Sequence, residues 1–427
     1  MSKALNYFKN LLFSHHFLIK NTFWLYSAEI TSRLLHVILF FFIARTLGKE
    51  IFGVFSYVLA LVSFYFIFSD FGLSQLILRD YQQKENKEEV VKEILAWKIV
   101  ICLLVSIISF SGYVILKAKE YSTLLYFILI LYFFLFSLRG YFTSFFIGIN
   151  KAYLNFFSSI IEGITILFFS FSFSLFHRSS LAIGLAYLFS SFLATSFSFY
   201  FFQRETKINF NEFFKNLRLY LKNLNYYFLN GLPLVFFGLL TYVFFYTDQI
   251  IIAHYRTFEE LGDYSVASKI ILASGFVGYI FSTAIFPFLA KTSANLKKFK
   301  KYFYFFLFVN FLISLITIYL VFLFSPWIIV FGFGKEYLDA LPLIYLLMWL
   351  LVYLGPTSFL DYVLFAFNKQ WLDFIITVIP AILNFVLNLF FVPSYGVYGA
   401  ILASILAQFL NFILTLIFSL LTIEKKI

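Results

Sequence analysis

Apolar residues run along this chain in long unbroken stretches, and short polar segments separate them. About 20 consecutive apolar residues in a helix suffice to cross roughly 30 Å of hydrocarbon. Twelve stretches reach that length: 22–44, 52–78, 94–116, 122–148, 152–175, 180–202, 226–253, 263–289, 302–324, 338–366, 371–393 and 397–421. Strands of a membrane barrel would instead alternate apolar and polar residues over about 10 positions. The pattern therefore predicts an all-α polytopic membrane protein with about 12 transmembrane helices. Ahead of the first span, segment 1–21 mixes Leu5, Phe8, Leu11 and Leu12 with Lys3, Lys9, His15 and His16. That mixture predicts an amphipathic surface helix, not a cleavable secretory signal.

Composition sharpens this picture. Of 427 residues, 62% are hydrophobic and 12% are charged, about half the charged share of a soluble domain. A soluble chain with this composition would expose large apolar patches and aggregate. The single cysteine, Cys102, excludes an internal disulfide and a cysteine-based zinc site, and reads as a small apolar residue in a helix. No metal-ligating constellation stands out. The G-x-x-x-x-G-K phosphate loop is missing, so the chain does not itself power transport with ATP.

Charge sets the expected orientation. Lys and Arg in alternate loops, such as Arg79, Lys84, Lys151, Arg204, Lys215, Lys297 and Lys369, outnumber those in the opposite loops, such as Lys49, Arg178, Arg256 and Lys335, by about three to one. The richer set should face the cytoplasm, which puts both termini inside. The net charge of +11 has the same origin, and nucleic-acid binding is not needed to explain it. No outer loop exceeds about 15 residues. A membrane enzyme acting on sugars outside the cell usually needs a sizeable outer domain, so the chain reads as a non-enzyme.

The polar stretch 203–225 divides the chain into an N-lobe, 22–202, and a C-lobe, 226–427, with six spans each. Both lobes carry a related segment at their first hairpin. Ala44–Ser56 reads ARTLGKEIFGVFS and Ala253–Ser265 reads AHYRTFEELGDYS. A fixed offset of 209 aligns Glu50 with Glu259, Gly53 with Gly262 and Ser56 with Ser265. Repeats of equal orientation imply a pseudo-two-fold axis along the membrane normal, a common transporter plan.

Charges within apolar spans cost a few kcal/mol each, so they tend to pair or face a cavity. Eight stand out: Glu29, Arg33, Asp70, Arg139, Glu162, Asp248, Lys269 and Asp361. Glu29 and Arg33 share a helix face in the favoured acid-first order. Arg139 and Glu162 flank the loop near Asn150 at similar depth, as Asp248 and Lys269 flank the loop near Phe258. Depth alone permits either a neutralising pair or a functional group in each case. Arg33, near the middle of the first span, reads as functional; a solvated rim accounts equally for Glu29 and Asp70. Asn230 and Pro233 are expected to break the seventh span. Asn384, Asn388, Gln408 and Asn411 are expected to hydrogen-bond between the last two spans. His36 reads as packed, and Trp24, Trp97, Trp327 and Trp371 as interfacial anchors.

Three patches carry a family resemblance: ARTLGKEIFGVFSYVLA from Ala44 followed by FSDFGLSQLILRD (Phe68–Asp80), TDQIIIAHYRTFEELGDYSVASKI (Thr247–Ile270), and VPSYGVYGAILAS (Val392–Ser404). In order and spacing the chain resembles the polysaccharide flippases of the multidrug/oligosaccharidyl-lipid/polysaccharide exporter superfamily. The resemblance implies two six-helix lobes in a V around a central cationic cavity. It also implies ion-coupled translocation of undecaprenyl-pyrophosphate-linked oligosaccharide across the cell membrane, for O-antigen, capsule or exopolysaccharide. On this reading Arg33 and Lys269 contact the anionic headgroup, with Arg139 a third choice. Glu29, Asp70, Glu162, Asp248 and Asp361 become candidates for binding a coupling H⁺ or Na⁺, and no other cofactor is expected. The expected partners are the lipid-linked oligosaccharide, membrane lipids and other polysaccharide-assembly membrane proteins. A drug/cation antiporter or a lipid II flippase of the same superfamily would share the fold, although lipid II flippases resemble longer chains. A membrane polymerase or glycosyltransferase of the same pathway is the alternative of another class.

Overall fold

The computed structural model describes residues 16–115, 123–293 and 295–425. The amphipathic helix expected over 1–21 lies, through residue 15, outside the described residues. Among the described residues every regular element is helical. In chain order the α-helices are α1 (His16–Leu47), α2 (Lys49–Asp70), α3 (Leu73–Gln83), α4 (Lys87–Ile115), α5 (Thr123–Gly148), α6 (Ala152–Phe176), α7 (Ser180–Thr206), the short α8 (Phe210–Lys215) and α9 (Leu217–Tyr220), α10 (Leu224–Tyr255), α11 (Phe258–Thr292), α12 (Leu296–Trp327), α13 (Ala340–Leu347), α14 (Leu351–Ala366), α15 (Gln370–Tyr395) and α16 (Val397–Lys425), with a π-helical turn at Ile328–Phe333 and tighter 3-10 turns at Lys335–Asp339 and Met348–Leu350.

Among the described residues, twelve helical stretches are long and apolar enough to cross a membrane, and they coincide with the twelve sequence stretches. Their starts are fixed by side-chain caps where the polar loops are short. Ser179 Oγ accepts from the Ala182 amide, Thr257 Oγ1 from Glu260 and Asn295 Oδ1 from Lys298. Each cap satisfies a backbone donor that has no intrahelical partner.

Two spans differ from the sequence expectation. The second is not one rod: Phe71 and Gly72 both take positive φ, 44° and 69°, and separate α2 from α3. The reason is a close approach of chain. A Cβ added at Gly231 of α10 would collide with the carbonyl oxygen of Phe71. The seventh span, expected to break at Asn230 and Pro233, instead runs through as the single helix α10. Pro233 leaves the Leu229 carbonyl without its usual amide donor, and one turn earlier Asn230 Nδ2 donates to the Tyr226 carbonyl at 2.8 Å.

The residues group into two compact units, 1–46 with 61–239, and 47–60 with 240–427. Two helices are thus shared. Residues 49–60 of α2 belong to the second unit and 61–70 to the first, and α10 divides at 239/240. In the first unit, aromatic side chains of α5 and α7 form much of the core; the rings of Phe142 and Phe202, for example, lie 4.8 Å apart. In the second, Phe299, Phe303, Phe359 and Leu360 are buried together.

Inside the second unit the two repeat segments pack on each other. A Cβ at Gly53 would strike the Phe258 carbonyl oxygen, and one at Gly262 would strike the Lys49 carbonyl oxygen. Each glycine therefore faces the residue four positions before its counterpart in the other repeat. That reciprocity is what a local two-fold relation between the repeats produces. Next to this crossing, Lys49 Nζ reaches Asp263 Oδ2 at 3.1 Å and Asp339 Oδ2 at 2.6 Å.

Candidate functional site

In the second unit, four helices converge on Asp248. α10 carries Asp248 itself, α11 carries Tyr264, α15 carries Asn384 and Asn388, and α16 carries Ser404 and Gln408. The spacings 384/388 and 404/408 put each pair on one helix face. Asp248 Oδ2 accepts from Tyr264 Oη at 2.5 Å and Ser404 Oγ at 2.7 Å, while its Oδ1 accepts from Asn388 Nδ2 at 2.8 Å. Asn384 Nδ2 reaches Ser404 Oγ at 3.3 Å and ties the remaining amide to the group. All of these side chains are buried.

Two features distinguish this cluster from ordinary helix–helix bonding. Its carboxylate is held by hydroxyls and an amide, with no Lys or Arg side chain among its hydrogen-bond partners. Among the described residues, the Oδ1 of Asn388 is buried without a hydrogen-bond partner. Beside Asp248 lies a cavity of about 40 Å³, lined by Asp248, Tyr264, Ser268, Ser404 and Gln408 and by six apolar side chains. That is enough room for a water or a small ion. The arrangement offers several oxygen ligands and one uncompensated negative charge to a proton or a small monovalent cation.

The pairing of Asp248 with Lys269 that equal depth permits does not form. Lys269 lies instead over the ring of Tyr246, its Nζ 5.5 Å from the centroid. Tyr246 stacks on Tyr242 at 5.2 Å, whose hydroxyl donates to the Ala60 carbonyl at 2.7 Å. Equal depth on adjacent helices fixed the height of the two charges but not their direction around the helix axis. Asp361, also in this unit, lies near a second buried carboxyl group, that of Asp373, a residue the sequence reading passed over. Two carboxyl groups held close together away from water do not readily both ionise.

The first unit holds the other charges as ion pairs. Arg139 Nη2 meets Glu162 Oε2 at 2.5 Å, joining α5 to α6, and both side chains are nearly closed off, at 10% and 3% exposed. The depth argument made this pair available, and it forms. On α1, Arg33 Nη2 lies 2.5 Å from Glu29 Oε1 with about half of each side chain exposed. Asp70 at the end of α2 receives Lys98 Nζ of α4 at 2.7 Å and is also bonded to Ser74. Lys98 was missed in the sequence. It sits close to the start of an apolar span, where a window average tolerates a single cation.

The softer expectations fall into place around these groups. Cys102 is buried, with its Sγ 3.5 Å from Ser137 Oγ. His36 is half-buried, its Nδ1 donating to the Ser32 carbonyl at 2.8 Å. Asn384 bonds between the last two spans as expected, whereas Asn388 reaches past them to Asp248 on α10.

The model of the polysaccharide biosynthesis protein family matches residues 18–293, well over half of the chain. The chain belongs to that family. A second model, MatE, matches residues 233–390, and both lie in the multidrug/oligosaccharidyl-lipid/polysaccharide exporter superfamily. Among solved structures, the family member resembles the lipid II flippase MurJ in an inward closed conformation. The TM-score is 0.77 at 19% identity, over 93% of this chain and 89% of that one. It also resembles an inward-facing multidrug resistance MATE transporter, with a TM-score of 0.66 at 13% identity, over 93% and 96%. An outward-facing MATE structure gives a TM-score of 0.60 at 14% identity, over 94% and 95%. No curated protein sequence matches.

Proposed function

We propose that the protein is a flippase that carries a lipid-linked oligosaccharide across the cell membrane for surface polysaccharide assembly, by ion-coupled alternating access. The observation that carries this reading is the match of residues 18–293 to the polysaccharide biosynthesis family, in a chain with twelve candidate spans. A pyrophosphate and its sugars do not cross hydrocarbon unaided, since unpaired charge is heavily penalised there. Side chains of opposite charge inside the membrane lower that penalty. Arg33, half-exposed on α1, and Lys269, half-buried over Tyr246, are the headgroup contacts we assign. Arg139 is already neutralised by Glu162 and nearly closed off, so its share is the smallest.

Among the coupling candidates, Glu29, Asp70 and Glu162 each have a cationic partner. Asp248 has neutral donors, an unpartnered oxygen of Asn388 and a small cavity beside it. We therefore place the coupling H⁺ or Na⁺ at Asp248, and regard the Asp361–Asp373 pair as a second proton-holding position. In the cell the basic loops and both termini would face the cytoplasm. Other polysaccharide-assembly membrane proteins would be its neighbours.

The test is transport of lipid-linked oligosaccharide in proteoliposomes under an imposed Na⁺ or H⁺ gradient, together with surface polysaccharide in a deletion strain. Arg33→Gln and Lys269→Gln should each lose transport at normal protein levels. Asp248→Asn should lose the response to the gradient. Full activity in both cation variants overturns the cargo assignment. The TM-score of 0.77 favours one second reading, lipid II as cargo. Supplying each glycan lipid separately discriminates the two.

A further inference from the structure

An apolar groove of about 320 Å³ lies in the first unit, and no charged side chain is among the residues that line it. Leu95 and Ile99 of α4, Leu138 of α5, Phe192 of α7, and Phe210 and Phe214 of α8 line it. Its volume falls in the range of ligand pockets, about 300–1,000 Å³. Thr195, one of its few polar side chains, donates to the Leu135 carbonyl at 3.1 Å. The groove thus presents hydrocarbon. α8 is held by packing: Phe213 is buried and stacks on Tyr220 at 5.4 Å, while Phe210 packs on Phe199 at 4.8 Å.

The chain on either side of Phe210 and Phe214 is cationic. Lys207 occupies the left-handed turn between α7 and α8, Lys215 follows Phe214 directly, and Arg218 lies one turn further on. Arg204 and Lys222 complete five exposed cations within 19 residues. Of the two acids in that stretch, Glu205 is taken by Lys151 at 2.5 Å, which leaves Glu212. Such a cluster beside a membrane-spanning helix attracts anionic headgroups. The groove alone would not select an occupant, because lipid tails gain little over one another by touching apolar side chains in a bilayer. Selection has to come from the headgroup, and these flanking cations supply it.

We propose that this groove and its flanking cations bind an anionic diacyl phospholipid of the bilayer, with one acyl chain in the groove and the phosphate at Lys207, Lys215 and Arg218. Bound there, the lipid holds α8 and α9 against the membrane surface.

The test uses the full-length protein in nanodiscs with phosphatidylglycerol or phosphatidylcholine carrying a photoreactive group on one acyl chain, and maps the labelled peptides by mass spectrometry. The peptides spanning 192–214 should be labelled at least about fivefold more by the anionic lipid, the preference expected of one surface cation near a headgroup. Substituting Lys207→Gln, Lys215→Gln and Arg218→Gln together should remove the difference. These side chains are exposed, so the fold is not at stake. Substituting Lys297→Gln, Lys298→Gln and Lys300→Gln together should leave it intact. Filling the groove with Ser196→Trp, at a residue that also lines it, should reduce labelling by both lipids. Equal labelling by the two lipids in the unsubstituted protein overturns the proposal, as does displacement of the anionic lipid by an equimolar polyprenyl diphosphate.

Discussion

Lys98 has no exposed surface, whereas about a third of its partner Asp70 is open. That asymmetry sets the direction of a mutational test. Removing one partner of a buried pair costs about 3–5 kcal/mol, because it leaves an uncompensated charge inside. Asp70→Asn leaves the fully enclosed ammonium and should lower thermal stability in detergent by that order. Lys98→Met leaves the carboxylate that is partly open and still bonded to Ser74, so its cost should be clearly smaller. The double variant should recover most of the loss. If Lys98→Met proves the more damaging substitution, the assignment of the buried partner is wrong. At this scale the sequence was legible wherever depth alone decided the outcome. Counting from a loop made the Arg139–Glu162 pair possible, and the structure forms it. Asp248 could not be assigned its partners, because Tyr264, Asn388 and Ser404 converge on it from three other helices.

Helix crossings depend on side chains that are missing as much as on those present. At Gly53 and Gly262 a methyl group would meet the backbone of the opposing repeat, which cannot move aside as a flexible side chain would. Overpacking of this kind costs about 1–3 kcal/mol, more than the roughly 1 kcal/mol that alanine gains over glycine in a helix interior. Gly53→Ala and Gly262→Ala should therefore each lower the melting temperature. Gly140→Ala in α5 is the control. Its nearest neighbour would be Ser74 Oγ at 4.0 Å, so propensity should prevail and stability should hold or rise. A stabilised Gly262→Ala would refute the close crossing. The twelve spans were readable because hydropathy is a property of each residue along one dimension. The matching glycines were readable as a motif, but their mutual contact belongs to three dimensions. The break at Phe71–Gly72 was hidden for the same reason, since its cause, Gly231, lies about 160 residues away in α10.

For the whole molecule, the arrangement of charge makes a claim about sidedness. Single cysteines introduced at Lys215 and Lys297 should react with a membrane-impermeant thiol reagent from one side, and one at Lys335 from the other. Cys102, being buried, should stay silent as background. Labelling of all three from the same side would undo the span order. The sharing of α2 between the two units has a consequence for how the protein is made. Lys49 finds Asp263 and Asp339 only 214 and 290 residues later in the chain. At a synthesis rate of about 5–20 residues per second, residues 49–60 wait roughly 10–40 s for α11 to leave the ribosome. Until then Gly53 has no crossing partner and Lys49 has no counter-charge from α11. The nascent first half is therefore an incomplete object in the membrane, with one helix held open for a segment not yet translated, and the factors that attend insertion meet it in that state.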